Sequence, residues 1–211
     1  MRKPPRMYFS FRSPRSWLAL RRFEETRPDL AATVRLVPNW DPKPWLRDAL
    51  DARGSGVLQT PITLAKHLYL LADTERLVQK FGYRMTWPAD LGQDWEVPHL
   101  LWLHADAVGL GPQFYQAAVR ARWERGENLC DPAVLRDVAA QAGLDPDQVA
   151  GAAGDESLRA AAVEALDWAY QDDIFGVPYF LAGRHRFWGL ERLPGFIDAL
   201  DAAAEKAKVR A

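Results

Sequence analysis

Arg6-Met7-Tyr8-Phe9-Ser10-Phe11-Arg12-Ser13-Pro14-Arg15-Ser16-Trp17 is the stretch on which the reading of this chain turns. Tyr8, Phe9 and Phe11 form a short aromatic run closed by a turn, the pattern of a buried strand over 6–11. Ser13-Pro14 then signals a helix start. A serine hydroxyl caps the unsatisfied first amides, and proline is tolerated at the first helical position because the N–H it lacks has no partner there. Trp17, Leu18, Leu20 and Phe23 give this helix an apolar face, and Arg27-Pro28 ends it. Over 33–37, Val34 and Leu36 alternate with polar neighbours ahead of Pro38, so a second strand follows. Strand, helix and strand in this order make a βαβ unit.

The far end of the chain supplies the complement. Residues 156–171 read as a helix, Gly176 to Leu181 as a strand, Ala182-Gly183 as a hairpin turn, 184–188 as a second strand and 191–208 as a closing amphipathic helix. Between the two ends the chain is mostly helical. The segment 62–82 carries Leu64, Leu68, Leu71 and Val78 as one helical face, with Gly82 as its stop. Further helices are expected over 98–108 and 112–124, and Asp131-Pro132 opens one through Ala142. Asp145-Pro146 opens a shorter one in the same way. The order βαβ, helical block, αββα is an α/β architecture, a thioredoxin fold with a large all-helical insertion. The expected division is 1–42 with 156–211 as the thioredoxin-like domain and 43–155 as the helical insertion.

Composition sets the outer bounds. The 211 residues are 48% apolar and 26% charged with a net charge of −1, enough to bury a core and without the basic footprint of a nucleic-acid binder. No apolar run approaches the roughly 18 residues of a membrane span, and Met1-Arg2-Lys3-Pro4-Pro5 lacks the apolar stretch of a secretion signal. A cytoplasmic protein is expected. Cys130 stands alone, which rules out an internal disulfide and a cysteine-based zinc site, and His67, His99, His104 and His185 lack metal-ligand spacing. No metal is expected. Most of the nine tryptophans suit core anchoring, while several gathered in one pocket suit a flat, conjugated ligand. Trp40 and Trp45, after the second strand, are expected to wall a cleft between domain and insertion.

In a thioredoxin fold the reactive group follows the first strand, at the start of the first helix. A proline ahead of the third strand faces it, usually through a cis peptide bond. Ser13-Pro14-Arg15-Ser16 and Val177-Pro178 occupy these places. Both positions that a dithiol needs are serine, which argues against disulfide exchange because a hydroxyl forms no mixed disulfide. A helix N-terminus favours an anion, and a serine hydroxyl hydrogen-bonds a thiolate. The plainer reading makes Ser13 simply a cap. Arg15 either faces a carboxylate or phosphate group or is solvated. Cys130, just ahead of the Asp131 cap, is either a thiolate steadied by the helix end or a small buried residue. Asp172-Asp173 closes a helix at the end where its dipole disfavours acids.

The stretch from Tyr8 to Ala19 resembles the opening of the 2-hydroxychromene-2-carboxylate isomerases and kappa-class glutathione transferases. Phe175-Gly176-Val177-Pro178-Tyr179-Phe180, followed by Phe187-Trp188-Gly189-Leu190-Glu191-Arg192-Leu193, resembles their closing motif. Lys66-x-x-Tyr69-x-x-x-Asp73-x-x-Arg76 is similar to a helix of their insertion. The resemblance implies that Ser13 steadies the thiolate of glutathione or another small thiol. It implies that Val177, beside Pro178, pairs through its backbone with the cysteinyl part, and that Lys66 contacts the bound thiol. Glu191 falls where an acid binds the γ-glutamyl amine, although the usual pair is Ser-Asp or Gln-Asp and here it is Leu190-Glu191. Val57 stands where the transferases carry asparagine, and Arg15 where an aromatic residue is common. Arg15, Ser16, Trp40 and Trp45 are expected on the substrate side.

The implied reaction is isomerisation of a carbon–carbon double bond: a thiolate adds to a conjugated alkene, rotation follows, and elimination restores the thiol. A small unsaturated substrate and a homodimer follow from the same resemblance. The other expectations are a glutathione transferase that keeps the conjugate, and a catalytically silent binding protein on the same fold.

Overall fold

The computed structural model describes residues 4–58, 62–89 and 94–210. The chain divides into two compact units, Met1–Asn39 with Ile174–Ala211, and Trp40–Asp173.

The first unit is built on a four-stranded sheet. β1 (Arg6–Phe9) is followed by α1 (Pro14–Thr26), the short α2 (Pro28–Ala31) and β2 (Arg35–Pro38). β1 ends two residues earlier than the aromatic run suggests, because the chain turns at Ser10: Ser13 N–H donates to the Ser10 carbonyl at 3.0 Å. β2 takes in Pro38 but not Thr33 and Val34, whose amides bond back to Leu30 and Ala31 in a turn. Proline stands at the strand's last residue, a place it tolerates.

β3 (Tyr179–Ala182) and β4 (His185–Trp188) belong to the same sheet, in the order β2-β1-β3-β4. β1 runs parallel to β2, with Phe9 opposite Pro38, and antiparallel to β3, with Tyr8 opposite Tyr179. β3 and β4 form the expected hairpin through Gly183, whose positive φ of 61° suits glycine. A 3-10 turn (Leu190–Arg192) leads into α10 (Leu193–Arg210). Phe23 of α1, Phe180 of β3 and Phe187 of β4 surround Phe196 of α10 at centroid distances of 5.7, 5.0 and 6.0 Å. Arg27, which closes α1, is tied to Asp29 and to Asp201 of α10, and these bonds hold both carboxyls below the ordinary carboxylate range.

The second unit is helical. It contains α3 (Pro44–Asp51), α4 (Leu64–Phe81), α5 (Glu96–Ala107), α6 (Gly111–Val119), a π-helical turn (Arg120–Glu124), α7 (Pro132–Ala142), α8 (Gln148–Gly151) and α9 (Glu156–Gln171). Trp40, Leu46, Leu50, Leu100, Ala162, Val163 and Leu166 form one of its cores, joining α3, α5 and α9. Because α9 buries its apolar face there, it groups with the helical unit, whereas the sequence reading sets it beside the sheet.

Capping chemistry explains the helix limits. Thr63 Oγ1 accepts the Lys66 amide at 3.2 Å, and Gly82 closes α4 at φ 70°. Asp131 Oδ1 accepts the Ala133 amide at 2.8 Å ahead of Pro132. One expectation is corrected: the α4 face read as apolar is buried at Val78, while Leu64 is 72% exposed and Leu68 55% exposed. Arg122, within the π-helical turn, is buried with its guanidinium 4.3 Å from the ring centroids of both Trp95 and Trp123. Among the described residues no helix is long and apolar enough to cross a membrane.

Candidate active site

The site is built at one end of the sheet. Phe9 closes β1 and Tyr179 opens β3, and Tyr8 and Tyr179 are paired. The turn that leaves β1 and the segment that enters β3 therefore lie at the same sheet end, which brings Ser10–Ser16 and Val177-Pro178 to one edge of the first unit. The Val177–Pro178 peptide is cis, as expected from the sequence.

On the α1 side, Ser13 is the N-cap: its Oγ accepts the Ser16 amide at 3.1 Å. Ser16 is fully buried, and its own Oγ accepts the Ser10 amide at 3.4 Å. The two serines thus play different parts. Ser16 locks the turn from within, while Ser13 is half-buried at the end of the helix. A hydroxyl carries one hydrogen besides its acceptor lone pairs, so the cap bond does not use the Ser13 O–H.

On the β3 side, the turn is fixed by its neighbours. The Gly189 amide donates to the Pro178 carbonyl at 3.0 Å, and Trp188 stands opposite Tyr179. Phe175 packs edge-on against Trp188 at 5.0 Å and against Tyr179 at 5.4 Å. Gly176 makes room for this arrangement, since a Cβ there would meet Trp188 Nε1 at 2.9 Å. Phe175 and Trp188 are nearly half exposed, at 45% and 47%. The sequence reading does not single out either one for the site. The signal available was their place on both sides of Val177-Pro178.

Arg15 and Glu191 are joined. The Arg15 guanidinium donates to a Glu191 carboxylate oxygen, linking the first turn of α1 to the 3-10 turn after β4. The Arg15 side chain is 14% exposed and that of Glu191 59%. The residue expected on the substrate side thus holds the residue expected to bind an amine.

The remaining sequence candidates lie in the second unit. Lys66 is exposed on the first turn of α4. Trp40 is buried in the α3–α5–α9 core and stacks on His99 at 5.0 Å with an interplanar angle of 9°. Trp45 donates its indole N–H to Glu96 at 3.1 Å, with the Arg159 guanidinium 4.0 Å from the centre of its ring. His99 is buried, and its Nδ1 lies 2.6 Å from the Trp95 carbonyl. Burial pushes the imidazole down to about 4, and the nearby Arg122 charge adds to this. Cys130 is half-buried, with its amide bonded to Asn128 Oδ1 at 3.0 Å. Among the described residues no group of three or more His, Cys, Asp or Glu side chains is placed to hold a metal ion.

This geometry has a family. Residues 6–201 match the model of the DSBA-like thioredoxin domain. The chain belongs to the DSBA-like thioredoxin family. Within it, the chain is 31% identical over 198 residues to a 2-hydroxychromene-2-carboxylate isomerase of Sphingobium xenophagum, covering 92% of this chain and 95% of that one. Among solved structures it superposes on a 2-hydroxychromene-2-carboxylate isomerase with a TM-score of 0.72 at 19% identity, covering 98% of each chain. It also superposes on a probable DsbA oxidoreductase of Streptomyces coelicolor, with a TM-score of 0.69 at 19% identity over 95% of this chain and 89% of that one. The thioredoxin fold with a helical insertion is thereby established, and proteins named as an isomerase and as a probable oxidoreductase share that fold.

Proposed function

We propose that this protein is an isomerase acting on a carbon–carbon double bond of a conjugated small molecule, with the Ser13 hydroxyl as the central catalytic group. The observation that carries this reading is the Ser13 cap itself. Its oxygen is occupied by the Ser16 amide and its hydrogen is left to donate, at a helix start that shares a sheet end with Val177-Pro178. The likeness to a relative named 2-hydroxychromene-2-carboxylate isomerase supports the reaction class.

The residues at this edge fit a thiolate. Ser13 offers a hydroxyl donor, the first turn of α1 adds the positive end of its dipole, and the backbone of Val177 beside Pro178 offers an extended segment for pairing. They fit the amine end of glutathione less well, because the Glu191 carboxylate is engaged by Arg15. The fit is therefore to a small thiol, of which glutathione is one. Such a thiol, when bound, supplies a nucleophile whose reversible addition turns a stiff C=C into a rotatable single bond. The chain's part is to hold that sulfur as an anion through Ser13, to fix the turn through Ser16 and to orient the substrate. Disulfide exchange is disfavoured, because Ser13 and Ser16 hydroxyls form no mixed disulfide.

The test is to incubate the protein with 2-hydroxychromene-2-carboxylate, with and without glutathione, and to weigh the product. A product of unchanged mass whose formation needs the thiol supports the proposal. A product heavier by the thiol makes the protein a transferase, and no turnover of this or other conjugated acids makes it a binding protein.

A further inference from the structure

The pairing of Arg15 with Glu191 has features of a ligand contact made by the protein to itself. Arg15 is a cation in the first turn of α1, where the helix dipole already presents positive charge and where α1 carries no acid of its own. Its side chain is largely buried, whereas Glu191 reaches it from the surface side, more than half exposed. Space for that reach is provided by Gly189. This residue holds a positive φ of 95°, and a Cβ on it would come within 2.9 Å of Glu191 Oε2. A largely buried cation, two residues on from Ser13 in the chain, is thus met by a carboxylate that is more than half exposed.

We infer that Glu191 is a built-in counterion occupying the anion position of Arg15, and that a substrate carboxylate binds by taking its place. Glu191 stands on the solvent side of the pair, and an incoming carboxylate that replaces it keeps the largely buried Arg15 paired, so the exchange leaves no buried charge uncompensated. A planar guanidinium receives that carboxylate through two parallel N–H donors. The inference rests on the proposed function, since it places a carboxylate-bearing conjugated substrate with its anionic end on Arg15 and its body beside Ser13. Glu191 then acts as a specificity determinant. It neutralises Arg15 when the position is empty, and while so paired it withholds from an ammonium group the carboxylate that would otherwise attract one.

Calorimetric titration with cinnamate, a flat conjugated carboxylate, and with cinnamyl alcohol, its uncharged counterpart, tests this. With its competitor gone, Glu191→Gln is expected to bind cinnamate about fivefold more tightly than the wild type. Arg15→Gln is expected to bind cinnamate about tenfold more weakly, and the double variant to match Arg15→Gln. The alcohol is expected to bind wild type and Glu191→Gln alike. The inference is overturned if Glu191→Gln binds cinnamate no more tightly than the wild type, if it binds none at millimolar concentration, or if the alcohol gains equally. Glu191→Gln is isosteric at an exposed position, so its thermal melt is expected to overlay the wild type. Turnover of wild type on conjugated acids is measured separately. Failure there removes the isomerase reading and leaves these binding differences to be judged on their own.

Discussion

The Ser13 hydroxyl oxygen accepts the Ser16 amide at 3.1 Å, and the Ser16 hydroxyl oxygen accepts the Ser10 amide at 3.4 Å. These two bonds close the turn between β1 and α1 from opposite sides, so the residue assigned to chemistry also caps the helix. Cap and catalyst are separable by substitution. Ser13→Ala is expected to lose about 1 kcal/mol of stability through the cap alone. Ser13→Asp keeps a cap acceptor and is expected to melt with the wild type. Thermal denaturation of the three proteins checks this, and equal melting of Ser13→Ala and wild type would mean that the cap contributes nothing.

Gly176 is small because Trp188 is close. Its added methyl would stand 2.9 Å from the indole Nε1, so Gly176→Ala has to shift either the ring or the Val177-Pro178 segment. A cost of about 1–2 kcal/mol is expected, the usual range for overpacking. A chemical denaturation series measures it, and an unchanged midpoint would mean that the Phe175–Trp188 ledge is not held rigidly.

His99 gives the protein an acid-sensitive element. Its imidazole titrates at about 4 in the fold against 6.5 as an ordinary group, chiefly because burial disfavours the charged ring. Between these values the unfolded chain binds a proton that the native protein does not. Stability from this group is therefore complete above about 6.5 and is lost as pH falls toward 4, a change of about 3 kcal/mol in all. Unfolding free energies at steps across this window are expected to slope upward with pH. His99→Gln is expected to flatten the slope, and an unchanged slope would move the titrating group elsewhere.

Glu96 is a buried acceptor, taking the Trp45 indole N–H at 3.1 Å with Lys43 Nζ 3.7 Å from its carboxylate. Glu96→Ala strands that N–H and is expected to cost about 2–3 kcal/mol, while Glu96→Gln, which keeps an oxygen acceptor, is expected to cost clearly less. Equal costs for the two would show that the carbonyl of the glutamine cannot reach Trp45.

What the sequence discloses here is local chemistry. Ser13-Pro14, Asp131-Pro132 and Gly82 act within three residues of themselves, so helix starts and stops can be placed before any fold is known. The cis proline at 178 follows from the βαβ and ββα halves once they are read together. Leu64 and Leu68 mark the limit: helical spacing identifies a face but not what covers it, and these two residues are exposed. The Asp145-Pro146 helix comes down to a turn, in which Asp145 Oδ1 accepts the Asp147 amide at 2.9 Å, followed by the four residues of α8; the same cap chemistry opens the much longer α7, so a cap marks a start and not a length. Arg15 and Glu191 are each visible as charged residues at the two motif ends. Their contact, across 176 positions, depends on β3 and β4 returning to the edge of α1, and no spacing rule contains it. The burial of Arg122 between two tryptophans is hidden for the same reason, since a sequence shows the charge and not the rings that enclose it.

The most direct measurement is turnover of 2-hydroxychromene-2-carboxylate, with thiol present, by wild type and Ser13→Asp. The aspartate keeps the helix cap but replaces the hydroxyl donor with a negative charge. The account predicts that Ser13→Asp folds as stably as the wild type and loses about a hundredfold or more in kcat, the usual cost of removing a preorganised donor to a catalytic anion. A stable Ser13→Asp protein that isomerises the substrate at the wild-type rate would contradict it.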